Sequence, residues 1–270
     1  MINYITEYLI NEEKLGTENI DKDRCSYAWE NFYTPFYSNR DFWKNTKFNK
    51  RKNYTIYYKD TKIQVSGDLV FNFKEGISKK VSQKYEYFEG LIERDYIGLE
   101  REMYLEELEF CRKMNYSMHN FSLMPVTGGM NNFKGMGNVM SEENGQQLDR
   151  PDRFLFYLND YIKNKSLLVN KYKHPIFSMN GAKSSKLKSK EENIEIQNKR
   201  LASFLDLFNE DILDYCRELY LIEDKDYIKE LMENGKKGIN SGEDVVRYMR
   251  LAEKYWLMKD SLFNSITREH

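Results

Sequence analysis

The spacing of hydrophobic positions changes twice along this chain. Between residues 54 and 73, polar and apolar side chains alternate in Tyr54-Thr-Ile-Tyr-Tyr58, Thr61-Lys-Ile-Gln-Val65 and Asp68-Leu-Val-Phe-Asn-Phe73. These stretches are rich in β-branched and aromatic residues, which suit a pleated, half-buried surface. Lys59-Asp60 and Ser66-Gly67 are two-residue connections, so the pattern predicts a three-stranded antiparallel meander. From Ile77 to about Lys113 the repeat lengthens to three or four residues through Tyr85, Phe88, Leu91, Ile92, Tyr96, Leu99, Met103, Leu108 and Cys111. That period is helical, and Gly90 or Gly98 would divide the run in two. Tyr116 to Met124 is strand-like and ends at Pro125.

A glycine-, asparagine- and glutamine-rich connection over 135–147 leads to Asp149-Arg-Pro-Asp-Arg-Phe154. Pro151 suits a first helical turn and Asp152 suits the positive end of the dipole. The helix that follows is expected to bury Phe154, Leu155, Leu158, Tyr161 and Ile162. Beyond a lysine-rich insertion near 180–200, Leu201, Phe204, Leu205, Phe208 and Ile212 predict an amphipathic helix. Tyr227, Ile228, Leu231 and Met232 predict another, closed by Gly235. A last helix is expected from about Glu243 to Leu262, with Val246, Met249, Ala252 and Trp256 on one stripe. Residues 1–50 read as a short amphipathic helix and an aromatic-rich segment, with Tyr27, Trp29, Phe32, Tyr33, Phe36, Phe42 and Trp43 packing against a body formed by 51–270. The expected class is α+β, mainly helical, in a single domain with a small N-terminal antiparallel β-meander.

Charge narrows the partners little. Lys plus Arg is 42 against 43 Asp plus Glu, so any contact with a polyanion depends on a local patch. The aromatic share of 15% argues against disorder. Cys25, Cys111 and Cys216 are too scattered for a disulfide framework, and no Cys/His spacing suits zinc, so no metal site is expected. The first residues carry acids and no basic flank, and no run of 18 apolar residues occurs. These features predict a cytoplasmic protein with no membrane partner.

Chemical density peaks over residues 120–154. Gly128-Gly129 is not a dinucleotide fingerprint, and no phosphate-binding P-loop occurs. Lys134-Gly135 with Arg150 and Arg153 could nonetheless hold a phosphate or carboxylate, since glycine permits close backbone approach and arginine offers a two-pronged fork. The bland reading is an internal network, Arg150 and Arg153 pairing with Asp149 and Asp152. Asn131 and Asn132 would turn the chain or touch a ligand, and Asp149 and Asp152 would orient the cations or supply acid/base chemistry. Arg112 and His119, with six residues between them, resemble the basic pair of a superfamily of helical-bundle endoribonucleases. Lys113 and a strand-like His119 depart from that pattern. The lysines at 171, 173, 183, 186, 188 and 190 read as a solvated loop or a phosphate contact.

The blocks Phe121-Ser-Leu-Met-Pro125, Asn131-Asn-Phe-Lys-Gly135, Asp149-Arg-Pro-Asp-Arg-Phe154, Phe204-Leu-Asp-Leu-Phe208 and Leu219-Tyr-Leu-Ile-Glu-Asp224 follow in this order. Their layout, over roughly residues 29–260, resembles an uncharacterised family of soluble bacterial proteins with a domain of unknown function. Lys134 stands where that family usually has arginine, and Pro151 interrupts its helix-start block. The resemblance implies a fold and a site location without an activity. Together these readings lead to a bacterial or phage protein that recognises RNA or a nucleotide, in its sharp form a toxin-like or defence enzyme. The alternative is a non-catalytic protein-binding module, an inhibitor or sensor. No cofactor is indicated by the residues.

Overall fold

The computed structural model describes residues 37, 40–43, 47–49, 53–58, 61–73, 85–126, 150–163 and 205–267. Helix dominates them. Four strands, β1 (Lys47–Asn49), β2 (Asn53–Tyr58), β3 (Thr61–Leu69) and β4 (Phe121–Val126), pair antiparallel in the order β1-β2-β3-β4. β3 is opposed by β2 from Thr61↔Tyr58 to Ser66↔Asn53, and by β4 from Gln64↔Val126 to Leu69↔Phe121.

This arrangement corrects the expected meander. Ser66-Gly67 is no turn, because β3 runs straight through it, and residues 70–73 form no third strand. Gly67 serves packing: a Cβ there would lie 1.9 Å from the Phe121 ring. The strand expected over Tyr116–Met124 begins only at Phe121 and continues past Pro125. A missing N–H is tolerated there because β4 is an edge strand among the described strands.

Past Leu69 the chain leaves the sheet, and two buried asparagines replace the lost ladder. Val70 N donates to the Asn120 carbonyl (2.8 Å) and Phe71 N to Asn120 Oδ1 (2.9 Å). Asn120 Nδ2 donates to the Phe71 and Asn115 carbonyls, and Phe73 N reaches Asn115 Oδ1. Every backbone group of a buried segment needs such a partner. Held in this way, Phe71 and Phe73 insert among Phe88, Tyr248, Tyr255 and Trp256.

Helix α1 (Tyr85–Asp95) and α2 (Gly98–Met114) form a hairpin. The break falls at Tyr96-Ile97, where Gly98 takes φ +57°, whereas Gly90 lies inside α1. Helix α3 (Pro151–Lys163) starts at its proline and buries Phe154, Leu155 and Leu158.

Of the helix expected across 201–212, the described part from 205 onward is interrupted instead. Asn209 and Glu210 take left-handed backbone (φ 55° and 53°) before Asp211 caps α4 (Ile212–Tyr215). A π-turn, Cys216–Tyr220, follows and is closed by left-handed Leu221. Asp224 caps α5 (Lys225–Gly235). Helix α6 (Gly242–Thr267), roughly 39 Å long at 1.5 Å per residue, supplies Val245, Tyr248, Met249, Ala252, Tyr255 and Trp256 to the core.

The α1–α2 hairpin is tied to the start of α6. Gly242 N donates to Asp95 Oδ2 (2.7 Å), Tyr87 Oη to the Ile239 carbonyl and Arg94 Nη2 to the Asn240 carbonyl. Arg94 and the Gly242 amide hold the Asp95 carboxyl at about 2. From the N-terminal segment, Tyr37 and Trp43 are buried against the π-turn, donating to the Leu219 and Glu218 carbonyls. Tyr27, Trp29, Phe32, Tyr33, Phe36 and the 180–200 insertion lie outside the described residues. Among the described residues no helix is long and apolar enough to cross a membrane.

Candidate functional site

Arg150 precedes the first turn of α3, and its side chain turns inward, leaving it 2% exposed. Its Nε donates to Asp152 Oδ1 (2.8 Å) and its Nη2 to Asp152 Oδ2, so the fork is occupied by a neighbour two residues away. Asn234 Nδ2 completes Asp152 at 2.7 Å, Arg150 Nη1 reaches the Lys237 carbonyl (3.4 Å), and the guanidinium lies 5.1 Å from the Tyr248 ring centre. Burial alone would lower the Arg150 pKa, but the Asp152 carboxylate outweighs it and raises it above its ordinary value. Arg153 is half-buried and directs Nη1 to the Gly235 carbonyl at 3.4 Å. Gly235 permits this contact, since a Cβ there would sit 2.1 Å from the Asp152 carbonyl oxygen.

The first turn of α3 is therefore tied to the end of α5 through a buried ion pair whose members also bond Asn234 and the Lys237 carbonyl. Such a pair specifies geometry, and removing one partner strands the other. Chemically it leaves little for a ligand: both Asp152 oxygens accept, and each of the three Arg150 nitrogens already donates, two to Asp152 and one to the Lys237 carbonyl. The bland reading of this pair is the geometry observed. Asn131, Lys134, Gly135 and Asp149 lie outside the described residues, so the structure brings only Arg150, Asp152 and Arg153 together.

Arg112 and His119 are engaged separately. Arg112 closes on Glu109 with two 2.6 Å bonds on α2. His119 is buried in a 3-10 turn (Met118–Asn120) rather than a strand, its Nε2 3.1 Å from Asp260 Oδ1 and its ring edge-on to Phe263. Burial lowers the His119 pKa while Asp260 works against that shift. Cys111 and Cys216 are buried thiols pushed up by desolvation. Among the described residues no group of three His, Cys, Asp or Glu side chains could hold a metal ion.

A different feature emerges on α2. Tyr104, Leu108, Cys111 and Met114 face the core. Leu99 and Met103 do not, being 84% and 46% exposed. At about 100° per residue, nine residues place Leu99 opposite Leu108, and Met103, Glu106, Phe110 and Lys113 fall near the same outer line. Leu105, Glu106, Glu109, Phe110 and Lys113 line an open groove of about 420 Å³ along this side. The hydrophobic spacing alone merges both faces into one stripe; angular bookkeeping of Leu99 and Met103 against Leu108 separates them. Sequence also concealed buried Lys259, which donates to the Phe121 carbonyl at 3.1 Å.

Compared with known families, curated proteins and solved structures, the chain matches none.

Proposed function

We propose that this is a cytoplasmic, non-catalytic interaction module whose α2 outer face receives a helix of a partner protein. One observation carries the reading: Leu99 and Met103 stand exposed on a 17-residue helix whose opposite face is already buried. Leu99, Met103 and the half-buried Phe110, which meets Trp256 from one side and the groove from the other, recur at the i, i+4, i+11 spacing with which helices seat one another. Ile97, at the hairpin corner just before α2, is also exposed, 83% open to solvent. An apolar surface this regular is worth about 25 cal/mol per Å² when covered.

The phosphate-ligand reading now depends on Lys134, Asn131, Gly135 and Arg153, because Arg150 and Asp152 satisfy each other. The proposed kinship with the uncharacterised bacterial family bears on the same loop and leaves the α2 face untouched.

A photo-crosslinking amino acid placed at Met103, with a control at exposed Glu233, tests the reading in cells expressing the full chain. A discrete protein adduct from position 103 alone is expected. Equal labelling from both positions contradicts the proposal. Nucleotide absorbance in the purified protein, lost in Lys134→Ala, would support the ligand function instead.

A further inference from the structure

The α2 line is bordered by carboxylates. Glu102 and Glu106 are exposed on α2, and Glu106 and Glu109 line the groove. On α1, Glu86 and Glu93 are exposed and Glu89 is half-exposed, three and four residues apart on the side away from Phe88, Leu91 and Ile92. These helices are not independent electrostatically: burial, then Glu93, Glu86 and Glu109 in turn, raise the Glu89 pKa. Four carboxylates from two helices repel one another across one surface. Glu109 is relieved by Arg112. At the far end of the groove stands Lys113.

Resting on the interaction reading above, we propose that the α1–α2 hairpin recognises a basic amphipathic helix of a partner protein. Its apolar residues lie along Leu99, Met103 and Phe110, and its lysines or arginines face Glu89, Glu93, Glu102 and Glu106. Charge complementarity selects this occupant. An anionic membrane surface or a nucleic acid would meet the same glutamates as like charge. A second copy of the chain in a two-fold pairing through this face would set the acidic surface of one hairpin against the same acidic surface of the other. A cationic helix removes the repulsion and covers the apolar line in one step. From Leu99 to Phe110 the line is roughly 16 Å long and meets about three turns of such a helix.

The probe is a synthetic leucine/lysine peptide of about 18 residues with one apolar face, long enough to be helical when bound. A leucine/glutamate peptide of the same pattern is the control. Titrated calorimetrically into the full chain, the basic peptide is expected to bind and the acidic one to fail. Met103→Ser should weaken binding by about tenfold or more, as for a central anchor. Glu89→Gln with Glu93→Gln and Glu106→Gln should weaken it several-fold and flatten its salt dependence. Circular dichroism checks that each variant keeps the native fold.

Equal affinity for both peptides, with Met103→Ser still damaging, overturns the basic partner and leaves the interaction face standing. Binding indifferent to Met103→Ser and to the glutamine variants overturns both. A concentration-dependent dimer in sedimentation, abolished by Met103→Ser, would name a second copy as the occupant and overturn the proposal.

Discussion

Single side chains decide how this chain spends its buried polarity. Lys259 is 1% exposed, and burial first, then Arg40, bring its amine down to about 7. Around it stand the Phe121 carbonyl, the Tyr255 ring at 5.5 Å, and Arg40, itself paired with Glu218. A folded pKa below the unfolded one means that the unfolded chain binds the proton more readily. Stability is then full above about 10.5 and falls as pH drops toward 7, by an amount on the order of 4 kcal/mol. Lys259→Met should lack this slope, so its advantage in urea denaturation should be larger at pH 7 than at pH 10. The buried His119 adds a loss of the same sign as pH falls below its ordinary 6.5. Asn120 is a different case, joining Phe71, Asn115 and Trp256 Nε1 through one amide. Asn120→Ala strands several buried groups, and a loss of about 3 kcal/mol is expected from the same denaturation experiment. Asp152→Asn should cost about 3–5 kcal/mol by leaving Arg150 without its counter-charge.

At the scale of elements, glycines separate positions the sequence alone made look alike. Gly90 lies exposed within α1, where an added Cβ would meet nothing within 4 Å, while one at Gly235 would meet the Asp152 backbone. Gly90→Ala should raise thermal stability by about 0.5–1 kcal/mol. Gly235→Ala should lower it by about 1–3 kcal/mol as the α3–α5 clamp is forced apart. The helical periods were legible: α3 starts at Pro151, α5 buries Tyr227, Ile228 and Leu231 and ends at Gly235, and α6 carries its stripe as spaced. Local turn chemistry was misleading where tertiary packing prevailed. Ser66-Gly67 has hairpin composition, yet its glycine makes room for Phe121. Likewise, the apolar spacing around Phe208 hid a reversal at Asn209 and Glu210 that brings Phe208 against Phe42 and Tyr215. Asp-Arg-Pro-Asp-Arg was recognisable as a charge cluster, but spacing does not tell whether the fork closes on a neighbour or opens to a guest.

Across the whole molecule a nearly balanced charge, 42 basic against 43 acidic residues, coexists with a one-sided acidic, apolar surface on the α1–α2 hairpin. The described core is one continuous aromatic and aliphatic cluster reaching from Tyr37 to Phe263; Phe110 packs against it, whereas Leu99 and Met103 stand outside it. Leu99→Ser and Met103→Ser should therefore change the unfolding free energy by less than about 0.5 kcal/mol while removing partner binding. The most direct measurement uses methyl-labelled methionine and NMR, adding the basic leucine/lysine peptide to the intact chain. The Met103 methyl resonance is predicted to move on binding, and those of core residues Met114 and Met249 to stay in place. A peptide that binds without shifting Met103, or that shifts all three equally, would contradict the docking face.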